Sequence, residues 1–253
     1  MRTILVIGIG AGDPDHLTLQ AARAIGTVDV FFVLDKGDAT QELIDLRHAI
    51  LERHARPGAY RVVVGRDPER DRDAAAYASA VAGWRRRRAD VCERMIRDEL
   101  TDGQRGAFLV WGDPTLYDST LGILDDLVAR GSIALRYEVV PGISSVSALA
   151  ARHRTALNRV GRPLQITTGR RLRGGLPESA DDVVVMLDPH GRFADLPDED
   201  LDIYWGAYLG MPDELLASGP LRAVAPEIVA AREAARRRKG WIMDTYLLRR
   251  RDG

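Results

Sequence analysis

The chain has 253 residues, 45% hydrophobic and 29% charged, with a formal net charge of −1, enough for two modest domains with substantial cores. So even a balance supplies no field to hold nucleic acid or an anionic membrane surface, and neither is expected as a partner. The single cysteine, Cys92, excludes an intramolecular disulfide and points to a reducing cytoplasm.

In chain order, residues 4–7 form a short apolar run that ends in a glycine turn, which reads as a strand and not as a signal peptide. Further strands are predicted at 30–34, 61–64, 107–111 and 137–140, with helices between them at 17–25, 41–53, 74–100, 120–130 and 145–153. This alternation predicts a mostly parallel sheet with crossover helices, whose ligands sit beyond the carboxyl ends of the strands. The second half is less regular, with strands predicted at 164–168, 183–187, 203–208 and 241–248 and a helix at 227–238. Two α/β domains are expected, residues 1–153 and 154–253, the second with a mixed sheet.

Three strand-end loops carry the candidate chemistry. The first, Gly8-Ile9-Gly10-Ala11-Gly12-Asp13-Pro14, resembles a dinucleotide turn but has Asp13 where the third glycine belongs. A carboxylate there repels a pyrophosphate at the helix N-terminus, which counts against a nicotinamide-dependent oxidoreductase. Asp13 reads equally well as a helix cap or a ligand contact. The second loop runs Trp111-Gly112-Asp113-Pro114-Thr115-Leu116-Tyr117-Asp118-Ser119-Thr120, with Ser119 or Thr120 placed to cap the next helix. In the third, Pro141-Gly142-Ile143-Ser144-Ser145, the serines can cap a helix or offer hydroxyls to a polar ligand. None of the three holds a Walker lysine, so a ligand without phosphate is expected. The five histidines show no pairing suited to a metal, and no metal site is expected.

These three motifs, in this order and spacing, resemble the tetrapyrrole methylases. That resemblance implies two α/β domains with S-adenosylmethionine bound in the cleft between them and S-adenosylhomocysteine as product. It places donor contacts at Gly112, Asp113, Leu116, Tyr117, Ser144, Ser145, Met186, Leu209 and Leu221. The last two sit in loops that depart from the family's usual form, and Ala11 replaces the usual proline of the first loop. Within the family, the stretches Leu34-Asp35-Lys36-Gly37, Arg66-Asp67-Pro68 with Arg70-Asp71-Arg72, Trp111 through Thr120, and Ile166-Thr167-Thr168-Gly169-Arg170-Arg171 are similar to one cobalamin-pathway member. That member methylates the ring carbon of precorrin-5 that bears an acetyl group and releases the group as acetate, giving precorrin-6A. A sibling precorrin methylase and a protein-directed relative share the loops and stay open.

The resemblance implies a polyanionic tetrapyrrole substrate and a homodimer. Methyl transfer needs alignment and exclusion of water, whereas deacetylation calls for a base and a donor to the developing oxyanion. Asp13 and Tyr117 are the catalytic candidates, with Asp118 and His153 in reserve. Arg154, Arg170 and Arg171 are the expected carboxylate partners, alongside Arg66, Arg70, Arg72 and Arg152.

Overall fold

The computed structural model describes residues 1–35, 41–69, 77–177, 179–197 and 200–251. The chain falls into two compact units, Met1–Gly10 with Pro14–Ile143 and Ala11–Asp13 with Ser144–Gly253. Lys36, Gly37, Arg70, Arg72 and the expected start of the helix at residue 74 lie outside the described residues.

The first unit alternates β1 (Arg2–Gly8), α1 (Leu19–Ile25), β2 (Val30–Asp35), α2 (Gln41–His54), β3 (Arg61–Arg66), α3 (Tyr77–Glu99), β4 (Arg105–Val110), α4 (Thr120–Arg130) and β5 (Leu135–Val140). Its five strands are parallel throughout, in the order β3-β2-β4-β1-β5. Interior β1 carries a continuous run of Ile, Leu and Val because a parallel strand with helices on both faces has no side open to water. Ile4 and Val6 join the core beneath α3 and α4, while Leu5 and Ile7 join the core beneath α1 and α2. Thr18 caps α1, its hydroxyl accepting from Ala21 N at 3.0 Å, after a 3-10 turn over Pro14–His16. The cap role considered for Asp13 on that helix therefore belongs to Thr18.

The second unit contains α5 (Ser145–His153), β6 (Leu164–Thr168), β7 (Asp182–Met186), β8 (Leu201–Ala207), β9 (Leu215–Pro220), α6 (Leu221–Lys239) and β10 (Asp244–Arg250). Its sheet runs β6-β7-β10-β8-β9; β6 and β7 pair in parallel and the other pairs are antiparallel. The core gathers Val183, Val185, Phe193, Ile203, Trp205, Tyr246 and Leu248 with Leu221 and Ile228 of α6.

Three expectations shift here. The boundary placed after residue 153 falls between Ile143 and Ser144, so α5 belongs to the second unit. The reason is packing: Ser145 Oγ lies 3.0 Å from Thr245 Oγ1 of β10, and His153 Nε2 lies 3.0 Å from the Trp205 carbonyl of β8. Strand β9 was not expected, because Leu-Leu-Ala-Ser-Gly-Pro has almost no β-propensity; it forms as an edge strand paired to β8 alone. Helix α6 begins six residues earlier than the predicted 227, with Pro226 inside it. Pro226 forfeits one backbone hydrogen bond near the start of the helix, and burial of Leu221 and Ile228 offsets that loss.

Candidate active site

In the first unit, the connection from β1 leads toward β2 and that from β4 leads to β5, in opposite directions across two neighbouring strands. Ligand crevices form at such reversals in parallel sheets. The strand ends are level: Gly8 pairs with Val110 and Ile7 with Val140. Beyond them the three glycine loops meet. Gly112 N donates to Gly10 O at 2.7 Å and Gly10 N to Gly112 O at 3.3 Å, a two-residue bridge between the first and second loops. A Cβ on Gly142 would stand 2.1 Å from Gly112 O, and one on Gly8 would stand 2.6 Å from Gly142 N. Gly8 and Gly142 are thus required as glycine because three backbones touch one another.

Asp113 locks this junction. Its Oδ2 accepts from Gly142 N at 2.9 Å, while Oδ1 accepts from Thr115 N at 2.8 Å and from the Thr115 hydroxyl. Partial burial raises its carboxyl, but the Thr115 hydroxyl and the Gly142 and Thr115 N–H groups together outweigh burial and hold it below the usual carboxylate range. A residue expected to contact the donor is therefore committed first to joining the second loop to the third.

Tyr117 follows with φ 53°, in the left-handed region. Such a conformation is rare for a bulky residue and costs about 1–3 kcal/mol, and it persists only where the surroundings dictate it. Tyr117 is 46% exposed. Asp118 accepts from Thr120 N at 2.6 Å and so caps α4, while Ser119, at the cap position, makes no side-chain cap bond. The Ser119 hydroxyl instead accepts from Arg88 Nη1 of α3 at 2.6 Å. Asp118 also faces the half-buried guanidinium of Arg47 on α2, whose burial lowers its pKa while Asp118 raises it.

In the second unit, Ser144 caps α5, its hydroxyl accepting from Ser147 N at 3.2 Å, which is the capping role the sequence allowed. Met186 ends β7 and is partly exposed. Beside it Leu187 has φ 53° and is 59% exposed. Tyr208, just past β8, has φ 52°, and Leu209 after it is buried. Leu209 and Leu221 both have buried side chains, so any contact with a ligand at these positions runs through the backbone. Gly12 belongs beside this loop, since a Cβ on it would lie 2.4 Å from Leu209 O, and Asp13 follows it half-buried. Among the described residues, three of the four non-glycine residues with positive φ therefore fall in or next to the segments singled out for donor binding. The fourth, Arg154, is the C-cap of α5.

The turns at Leu187 and Tyr208 are flanked by charged groups that no sequence motif singled out. Behind Leu187, Asp188 accepts from the backbone N–H of His190, Gly191 and Arg192 and from the Tyr246 hydroxyl. Arg232 donates to the Asp188 carbonyl at 2.7 Å and to Asp244 Oδ2 at 2.5 Å, and Trp205 Nε1 donates to Asp244 at 2.8 Å. Burial raises the pKa of Asp244, opposed by the Arg232 guanidinium. Gly169 makes room for this network, because a Cβ there would overlap Asp188. Beyond Tyr208, Lys239 pairs with Asp213 and lies 5.0 Å from the Tyr208 ring centroid. In sequence, Asp188 and Arg232 are 44 residues apart with no motif joining them.

Arg154, Arg170 and Arg171 are exposed, the last two on a 3-10 helix over Gly169–Gly174. Arg152 is paired with Glu214 and Arg66 with Glu69, at 4.0 Å in the latter case. His153, held in reserve for proton transfer, has its Nε2 3.0 Å from the Trp205 carbonyl. Among the described residues no group of three or more His, Cys, Asp and Glu is arranged to hold a metal, and no helix is long and apolar enough to cross a membrane.

The fold and its strand-end loops are those of a methylase class: the chain belongs to the tetrapyrrole (corrin/porphyrin) methylases, whose family model matches residues 3–225. It is 46% identical over 250 residues to the precorrin-6A synthase [deacetylating] of Sinorhizobium sp, across 99% of this chain and 96% of that one. A cobalamin synthesis related protein (CobF) from Corynebacterium diphtheriae superposes with a TM-score of 0.86 at 36% identity, covering 100% of both chains. The uroporphyrin-III C-methyl transferase of Thermus thermophilus, solved with S-adenyl homocysteine, shares the fold with a TM-score of 0.59 at 20% identity, over 97% of this chain and 91% of that one.

Proposed function

We propose that this protein is an S-adenosylmethionine-dependent C-methyltransferase of corrin biosynthesis that converts precorrin-5 to precorrin-6A and releases acetate. The observation that carries the reading is the near-full-length identity of 46% to a deacetylating precorrin-6A synthase. The chemistry of the loops agrees with it. Residues 8–13, 112–119 and 141–145 contain no Lys or Arg and carry Asp13, Asp113 and Asp118. That donor set has nothing to neutralise a phosphate and suits a cationic, phosphate-free ligand.

When bound, the sulfonium supplies an electrophilic methyl group, and the ring carbon that attacks it needs no metal. The residues proposed to hold the donor are Gly112, Asp113, Leu116 and Tyr117 in the first unit and Ser144, Ser145, Met186, Leu209 and Leu221 in the second. The apolar side chains among them, Leu116 and Met186, suit the exclusion of water that methyl transfer requires. In deacetylation, Asp13 takes a proton from the water that adds to the acetyl carbonyl, and the Tyr117 hydroxyl donates to the carbonyl oxygen as charge develops there. The carbon–carbon bond to the ring breaks, its electron pair stays with the conjugated macrocycle, and acetate leaves. Arg154, Arg170 and Arg171 pair with the acetate and propionate arms of the substrate, bidentate where the fork allows. The assembly proposed is a homodimer, which sedimentation tests.

Calorimetric titration with S-adenosylmethionine is expected to show one site per chain. Asp13→Ala and Tyr117→Phe are expected to lower turnover more than donor affinity. Wild-type turnover in both variants would remove Asp13 and Tyr117 from the chemistry.

A further inference from the structure

Arg88 lies on α3, far in sequence from the second loop, yet it is buried and aimed at it. Its side chain is 11% exposed and its Nε sits 3.1 Å from Asp67 Oδ1, a carboxylate that is itself 5% exposed. The guanidinium carbon stands 5.1 Å from the centroid of the Trp84 ring, and Trp84 Nε1 donates to Pro68 O at 3.0 Å. Its Nη1 donates to the Ser119 hydroxyl at 2.6 Å. Burying such a pair is a poor way to gain stability, since two apolar side chains of similar volume do as well or better. What the pair does deliver is a fixed point: Ser119 is two residues beyond Tyr117, whose left-handed backbone must be imposed by its surroundings. Asp113 pins the loop before Tyr117 through Gly142, and Arg88 pins it after.

We infer that Arg88, oriented by Asp67, is a positioning residue that holds Tyr117 in its left-handed conformation through the Ser119 hydroxyl. This rests on the reading of the second loop as part of the methyl-donor site, and it predicts an effect on donor affinity that a purely structural arginine lacks.

The test is a double-mutant cycle on the full chain, read by thermal unfolding and by calorimetric S-adenosylmethionine binding. Ser119→Ala removes the acceptor and leaves the Arg88–Asp67 pair intact; donor binding is expected to weaken about fivefold to tenfold. Arg88→Lys gives a similar loss, because a compact ammonium cannot serve Asp67 and Ser119 together. Ser119→Thr keeps a hydroxyl and restores affinity. Tyr117→Gly relieves the strained backbone, since glycine adopts positive φ freely. In that background the melting-temperature cost of Ser119→Ala is expected to fall by at least half. An equal cost in both backgrounds, or unchanged donor affinity in Ser119→Ala, overturns the inference. If the unaltered protein binds no donor, the functional reading fails instead, and the melting cycle still decides whether Ser119 and Tyr117 are coupled.

Discussion

Replacing Gly142 by alanine tests the glycine junction at its tightest point. The added Cβ would stand 2.1 Å from Gly112 O and 2.8 Å from Gly8 Cα, all backbone atoms that cannot swing aside as a side chain does. Relief requires one strand end to retreat by about 1 Å, since carbon contacts are comfortable only near 3.5 Å. That retreat strains the Gly10–Gly112 bridge and the 2.9 Å bond from Gly142 N to Asp113. Overpacking costs roughly 3 kcal/mol, and a weakened charge-assisted bond adds roughly 1–2 kcal/mol. For a chain of this size the sum lowers the melting temperature by about 10 °C. Gly83→Ala is the matched control: it lies within α3, and its Cβ would meet only Arg87 Nη1 at 3.6 Å. There alanine should raise stability by about 0.5–1 kcal/mol through helix propensity. Circular dichroism melts of both variants provide the assay. If Gly142→Ala melts within about 2 °C of the parent, the three backbones are not in the contact described.

Four further outcomes are expected. Because its folded pKa is depressed, Asp113 contributes stability that is fully present above its unfolded value of about 3.9 and is lost as pH falls through the folded value. The stability gap between the parent and Asp113→Asn should therefore be constant from pH 6 to 8 and close in acid; a gap independent of pH contradicts this. Arg232→Met strands Asp244 in the core and should cost about 3–5 kcal/mol by denaturant titration, where a loss below about 1 kcal/mol would refute the network. Burial pushes the Cys92 thiol up to about 12, so iodoacetamide at pH 8 should label it only after unfolding. Arg170→Gln with Arg171→Gln should raise the Michaelis constant for the tetrapyrrole, more at low salt than at high; an unchanged constant removes both from the substrate site.

The parallel sheet of the first unit was legible because its signals are local. Ile4 to Ile7 with the following glycines, and the three-four spacing of Leu43, Leu46 and Ile50 in α2, announce their elements without knowledge of any partner. What sequence could not show is why particular residues are needed. Gly8 and Gly142 read as ligand-facing turns, yet their reason is each other's backbone, a contact 134 residues apart that no local pattern encodes. Asp113 read as a ligand carboxylate, and its geometry gives it to Gly142 and Thr115. Ser119 read as a helix cap, and Arg88 takes its hydroxyl. Strand β9 escaped because pairing to β8, rather than propensity, makes it a strand. The strained residues Tyr117, Leu187 and Tyr208 left one trace, their position just beyond strands or glycine turns; the braces that sustain them are tertiary.

The proposed reaction couples methyl transfer to loss of acetate on one macrocycle. Incubation of the purified protein with precorrin-5 and S-adenosylmethionine labelled in its methyl group measures both events together. One label incorporated per macrocycle and one equivalent of free acetate are expected. Label without acetate would make the protein a sibling methylase, and neither product would contradict the assignment altogether.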